Sequence, residues 1–434
     1  MIKTHLTLQA LVLAGASIIP GFAQDAPQTK MVGGFFEEWS IYYAGYNVAN
    51  LQQNGVANRL THLFYAFANV SSTPGCAIAD TYADYQDPYL PSVNGDPYPG
   101  PLYGNFAALQ QLQQLHPNMK MIISIGGASS TNTANFSAAA STAQGRHALA
   151  ASCIDMFIKG NIATGISAPG LFDGFNIDWE FPAASDTSNF TALLAEFRKQ
   201  LNALSATTGK TYYLSFFGPA GTSNIADINL AATAKLVDFI TVQGYDLNGP
   251  WENVTNEAAS LFDDKQDPNY GQDLDDNDVL NIYLKAGVPA AKYMLGLPLY
   301  GDGWTGVPAM NNGLYQTSSA AAPVPLANGT GLCPDTSGNT PGCDPLLTAG
   351  LATFATLENL KANGYTQYFD STRVAAWLYD AALGTFYSFD DPGTATLKMQ
   401  YVTSRGLGGA YVWALKDDST GGIMVKTMAQ VLGQ

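Results

Sequence analysis

Short apolar runs recur along this chain at 32–36, 62–70, 120–126, 172–179, 212–217, 239–245, 293–299 and 409–415. Between them lie stretches whose apolar residues return every three or four positions, as at 106–115, 146–158, 190–204 and 279–286. Continuous apolar runs predict strands covered on both faces, and intervening helices predict that those strands pair in parallel. Eight such units predict a closed (β/α)8 TIM barrel. An open doubly wound sheet would want a Gly-x-Gly-x-x-Gly turn after its first strand, and none follows 32–36. Two stretches break the rhythm. Residues 72–103, rich in Pro, Gly, Asp and Tyr, predict a long loop, and 303–386 predict a small α+β insertion after strand 7, with a helix at 351–362. An insertion on that side of a barrel overhangs its catalytic end.

The fourth run carries polar residues that a buried strand does not need: Leu-Phe-Asp-Gly-Phe-Asn-Ile-Asp-Trp-Glu-Phe-Pro at 171–182. Strand alternation puts Asn176, Asp178 and Glu180 on one face, with the two carboxylates about 6–7 Å apart along it, and Phe175, Ile177 and Trp179 on the other. Burying that pair is costly unless it is hydrogen-bonded or does chemistry. Other strand ends carry Tyr245 and Asp246, Tyr300, and Trp413. Carboxyls beside aromatics suit sugars: rings cover the apolar faces of pyranoses, and an acid protonates the departing glycosidic oxygen.

Composition narrows the partners. Hydrophobic residues make up 47% and charged residues only 12%, yet no run beyond the first residues is long enough for a membrane span. A net charge of −16 argues against nucleic acid. Residues 1–23 read as a signal peptide, with Lys3, an apolar centre and Gly21-Phe22-Ala23 before the cut, leaving 24–434 as a secreted, extracellular chain. Four cysteines allow three pairings; the short loop between Cys333 and Cys343 favours that pair, leaving Cys76 with Cys153. Cysteines and histidines do not cluster at ligand spacing, so no metal or other cofactor is expected. Asn69, Asn135, Asn189, Asn253 and Asn328 stand in glycosylation triplets.

The motifs taken together resemble family 18 glycoside hydrolases of the chitinase type. Asp-Gly-Phe-Asn-Ile-Asp-Trp-Glu (173–180) is similar to that family's Asp-Gly-x-Asp-x-Asp-x-Glu, and Ser124-Ile-Gly-Gly127 to its Ser-x-Gly-Gly. Gly244-Tyr245-Asp246 resembles the end of Met-x-Tyr-Asp, and Gly-Phe-Phe-Glu-Glu-Trp at 34–39 the family's opening. Leu-Gly-Leu-Pro-Leu-Tyr-Gly at 295–301 and Gly-Leu-Gly-Gly-Ala-Tyr-Val-Trp at 406–413 complete the set in order.

The resemblance implies hydrolysis of chitin or chito-oligosaccharides, with the substrate's own 2-acetamido group as nucleophile; a monomer is expected. Glu180 would be the acid and then the base, Asp178 would orient the acetamido group, Tyr245 would hold its oxygen, and Asn176 would support Asp178. Asp246, Tyr300, Phe67, Gln243, Asp302 and Trp413 would meet the sugars, Trp413 as the floor. Further groove aromatics are expected among Trp39, Trp251, Trp304 and Trp377. Asn176 departs from the family's Asp, Gln243 from its Met, and Asp302 from a common Arg. A chitin-binding lectin and an endo-β-N-acetylglucosaminidase acting on N-glycans are the alternatives, and the lectin is disfavoured because Glu180 is present.

Overall fold

Parallel strands close on themselves in the computed structural model, which describes residues 29–42, 44–334, 342–344 and 347–434. They are Met31–Glu37, His62–Val70, Lys120–Gly127, Gly174–Trp179, Tyr213–Gly218, Phe239–Val242, Tyr293–Pro298 and Gly409–Trp413. Each pairs with the next, and the first pairs with both second and last: Gly33 stands opposite His62 on one side and Tyr411 on the other. The expected leader at 1–23 lies outside the described residues.

Alternation along the strands divides the core in two. Phe35, Phe64, Ile122, Phe239, Met294 and Tyr411 fill the barrel interior, with the rings of Phe35 and Phe64 stacked at 4.8 Å. Their neighbours Phe36, Tyr65 and Ile123 face the helical layer. Large side chains are what a barrel of this width needs to close without a void. The helix Thr187–Thr208 turns Phe190, Leu193, Leu194, Phe197 and Leu201 inward, and Phe197 meets Phe175 edge-on at 5.5 Å. That contact braces the back of the strand that carries the carboxylates.

Helices begin earlier than their apolar periodicity suggests. Ala143–Cys153 starts at a Thr142 cap and Asp276–Lys285 at an Asp275 cap, each cap accepting the backbone N–H of the third helical residue, Gly145 and Asp278. First turns are polar because capping side chains and exposed N–H groups occupy them.

The interruption after the seventh strand builds a second, antiparallel sheet. Tyr300–Thr305 lies at its centre, with Thr385–Phe389, Ala375–Asp380 and Thr366–Asp370 to one side and Ala320–Ala321 and Leu351–Thr353 on the other. Three expectations are corrected. Tyr300 does not end a barrel strand but opens this sheet, two residues after Pro298. Residues 351–353 pair with Tyr300–Asp302 as strand, and the helix runs only over Phe354–Ala362. The long loop after the second barrel strand contains a strand, Cys76–Ile78, and a helical turn, Tyr82–Gln86. Arg373 anchors the second sheet to the loop after the sixth barrel strand, bonding Glu257 at 3.0 Å and Asp267 at 2.7 Å with all three side chains buried. The disulfides are Cys76–Cys153 and Cys333–Cys343. None of the described helices is long and apolar enough to cross a membrane.

Candidate active site

The carboxylates sit where the fourth strand leaves the barrel. Gly126 lies opposite Asp178 in the register, and a Cβ on Gly126 would meet the Asp178 carbonyl oxygen at 2.1 Å. Only glycine permits that approach, at a φ of +120°. Below this rim, Ser124, Asn176 and Ser215 are register partners on three adjacent strands and form a polar layer above the aromatic interior.

Asn176 is fully buried, and its hydrogen bonds fix which way the amide points. Ser215 Oγ donates to its Oδ1 at 2.9 Å and Thr241 Oγ1 at 3.2 Å. Its Nδ2 therefore faces Ser124 Oγ at 2.9 Å and Asp178 Oδ2 at 3.4 Å. Ser124 in turn donates to Asp178 Oδ2 at 2.9 Å. One oxygen of Asp178 is thus held from below, and its carboxyl also interacts with that of Glu180.

Electrostatics place that proton on Glu180. Burial, then the Asp178 carboxylate and its hydrogen bond, push the Glu180 carboxyl up to about 9. Burial also raises Asp178, to about 7, against the donors Ser124 and Glu180. Two adjacent buried carboxyls cannot both ionise cheaply, and the member with more donors keeps the charge. Over a neutral range this pair offers a protonated carboxyl beside a fixed carboxylate.

The other expected groups gather round it. Tyr245 and Asp246 stand just past the sixth strand, which ends at Val242 rather than at the expected 245. The Tyr245 hydroxyl lies 3.4 Å from that of Tyr411, and Tyr300 donates to Asp246 Oδ1 at 2.5 Å. Phe67 stacks between Trp39, at 5.9 Å, and Trp413, at 5.7 Å. Asp178, Glu180, Gln243, Tyr245 and Phe67 share a cavity of about 580 Å³, which Phe217 also lines. Trp39, Asp246, Tyr300 and Trp413 border both this cavity and a second of about 710 Å³ that includes Trp251 and Asp302. Glu180 borders a third of about 690 Å³ beyond Phe181, so the three form one groove across the barrel end.

Trp304 and Trp377 do not reach it. Both are buried with Phe386 in the core of the second sheet, and their indole N–H groups donate to the Glu252 and Asn312 carbonyls. Ser215 and Thr241, which orient Asn176, are partners the sequence reading missed; each is the one aliphatic hydroxyl in its strand. Lys416, bonded to Asp417 at 2.7 Å and facing Glu37 at 3.4 Å in the second cavity, was missed as well. Away from the groove, Asp263, Asp275 and Asp278 bring carboxylate oxygens within 4.8 Å of one another. Asp263 and Asp275 accept backbone N–H bonds there, which accounts for two of the three by folding alone.

The sequence pattern of "Glycosyl hydrolases family 18" matches residues 31–418. Chitinase A1 of Niallia circulans is 31% identical over 96% of this chain and 61% of its own length, so this chain spans less than two thirds of that relative. Chitinase 1 of Aphanocladium album is 30% identical over 100% of this chain and 93% of its own. Among solved structures, the catalytic domain of the psychrophilic chitinase B from Arthrobacter TAD20 superposes with a TM-score of 0.81 at 32% identity, over 94% of this chain and 96% of that one.

Proposed function

The chain belongs to glycosyl hydrolase family 18, and from that membership we propose that it is a secreted chitinase cutting β-1,4 bonds between N-acetylglucosamine units with retention at the anomeric carbon. The observation that carries this reading is the pair itself: a Glu180 carboxyl held protonated beside an Asp178 carboxyl anchored by Ser124 and Asn176. Glu180 gives its proton to the departing glycosidic oxygen as the bond to the anomeric carbon breaks. The acetamido carbonyl oxygen of the same sugar closes on that carbon, forming a cyclic oxazolinium ion. Asp178 accepts from the acetamido N–H, aligns the group and balances the charge that develops. Glu180, now a carboxylate, takes a proton from water as the water opens the ring, which restores both the acid and the original configuration.

Tyr245 steadies the acetamido oxygen, and Asp246 and Tyr300 hold hydroxyls of the saccharide. Phe67, Trp39 and Trp413 supply ring faces for pyranoses, and Trp251 extends that platform. Two disulfides suit an oxidising compartment and support secretion.

The test is release of soluble N-acetylated oligosaccharides from colloidal chitin, by the native protein and by Glu180→Gln. The native protein is expected to release them and Glu180→Gln to lose at least about a thousandfold of the rate, the usual scale for removing an essential acid. Binding without release by the native protein would instead support a lectin.

A further inference from the structure

The groove has an arm whose chemistry neither the acid pair nor the aromatic platform explains. Asp302 lies in the wall of the 710 Å³ cavity, 2% exposed, and its carboxyl has no hydrogen-bond donor and no cation among the described residues. The charged group acting on it is another acid, Asp246, whose Oδ1 is already taken by the Tyr300 hydroxyl. The cation in the same arm, Lys416, is committed to Asp417 at 2.7 Å, with Glu37 at 3.4 Å and Asp344 at 3.8 Å. A buried carboxyl without a donor is costly to keep, and it is a ready partner for an arriving positive charge.

We propose that the arm walled by Asp302 takes a glucosamine unit whose free 2-ammonium pairs with this carboxylate, so that the preferred polymer is partially N-deacetylated chitin. Two further features fit. Trp251, 62% exposed, and Trp413 border the arm, so a pyranose has a ring to cover it while its amino edge turns to the acid. The net charge of −16 draws a polycation towards the protein before it docks. Burial, then Asp246, favours the protonated form of the Asp302 carboxyl; an ammonium in contact replaces that proton, which leaves to solvent. The demand for an acetamido group applies only to the sugar at the bond being cut, so the two requirements fall on different units of one chain.

This proposal rests on the reading of the groove as chitin-cleaving. It is tested by calorimetric titration of Glu180→Gln, with and without Asp302→Asn, using two hexamers: fully N-acetylated and half deacetylated. Glu180→Gln alone is expected to favour the half-deacetylated hexamer. Adding Asp302→Asn should cut the preference by about fivefold or more. Equal weakening of both hexamers by Asp302→Asn overturns the assignment. Should the Asn variant fail to fold, titration of Glu180→Gln in buffers of different ionisation enthalpy decides: the half-deacetylated hexamer should release about one proton more than the acetylated one, and equal release from both overturns the assignment. If neither hexamer binds, the reading of the groove falls; if both bind without regard to charge, only the role of Asp302 falls.

Discussion

Asn176 Nδ2 stands 3.4 Å from Asp178 Oδ2, and both side chains are bonded to the Ser124 hydroxyl. The amide supplies donors at this position and no charge. Asn176→Asp would set a third carboxyl against the acid pair, and like charge opposes ionisation of Asp178. The acid limb of kcat/KM is expected to move up by about one pH unit. A superimposable pH profile in the variant would show that the residue at 176 does not tune the pair.

Ser215 and Thr241 determine which end of the Asn176 amide faces Asp178. The double variant Ser215→Ala, Thr241→Val removes both donors and leaves a buried carbonyl unpaired, at a cost of about 1–3 kcal/mol in urea unfolding. The amide is then free to turn, so kcat should fall more than KM rises. Loss of stability with kcat intact would mean that the two hydroxyls serve the fold alone.

Burial comes first among the causes that raise Glu37 to about 8, Glu38 to about 10, Asp84 to about 7, Asp178 to about 7 and Glu180 to about 9. Each binds its proton more tightly folded than unfolded, so the contribution to stability is full below the ordinary carboxylate range and drains away as pH rises through these values. The thermal midpoint is expected to decline from about pH 5 to about pH 9, and less steeply in Glu180→Gln. A midpoint that climbs over that interval would contradict the assigned proton positions.

Arg373 lies wholly buried between Glu257 and Asp267. Arg373→Met strands two acids in the interior, and breaking a buried pair from one side costs about 3–5 kcal/mol. Urea unfolding should show that loss. A change below about 1 kcal/mol would mean that the ion pairs add nothing to the joint between sheet and barrel.

The barrel was legible because its signal is redundant: each apolar run is a strand buried on both faces, and helices with an apolar stripe separate them. The fourth strand was legible for the opposite reason, since Asp178 and Glu180 are out of place in such a run. What stayed hidden depends on contacts distant in sequence. Ser215 and Thr241 matter only because the next two strands bring their hydroxyls within reach of the Asn176 amide. Trp304 and Trp377 carry the same ring as Trp39 and Trp251, but the second sheet closes over the first two while the groove leaves the others at its edge. Tyr300 was misplaced by one element because a strand of the barrel and a strand of the insertion are separated only by Leu299.

In the proposed mechanism the acetamido group of the substrate is the nucleophile and Glu180 its proton donor. The decisive measurement is the initial hydrolysis rate on a matched pair, a chito-oligosaccharide and the cello-oligosaccharide of the same length. Cleavage of the acetamido-bearing chain is expected to be faster by at least about a thousandfold, the loss that follows when an interaction made in the transition state is removed. Comparable rates on the two chains would contradict it.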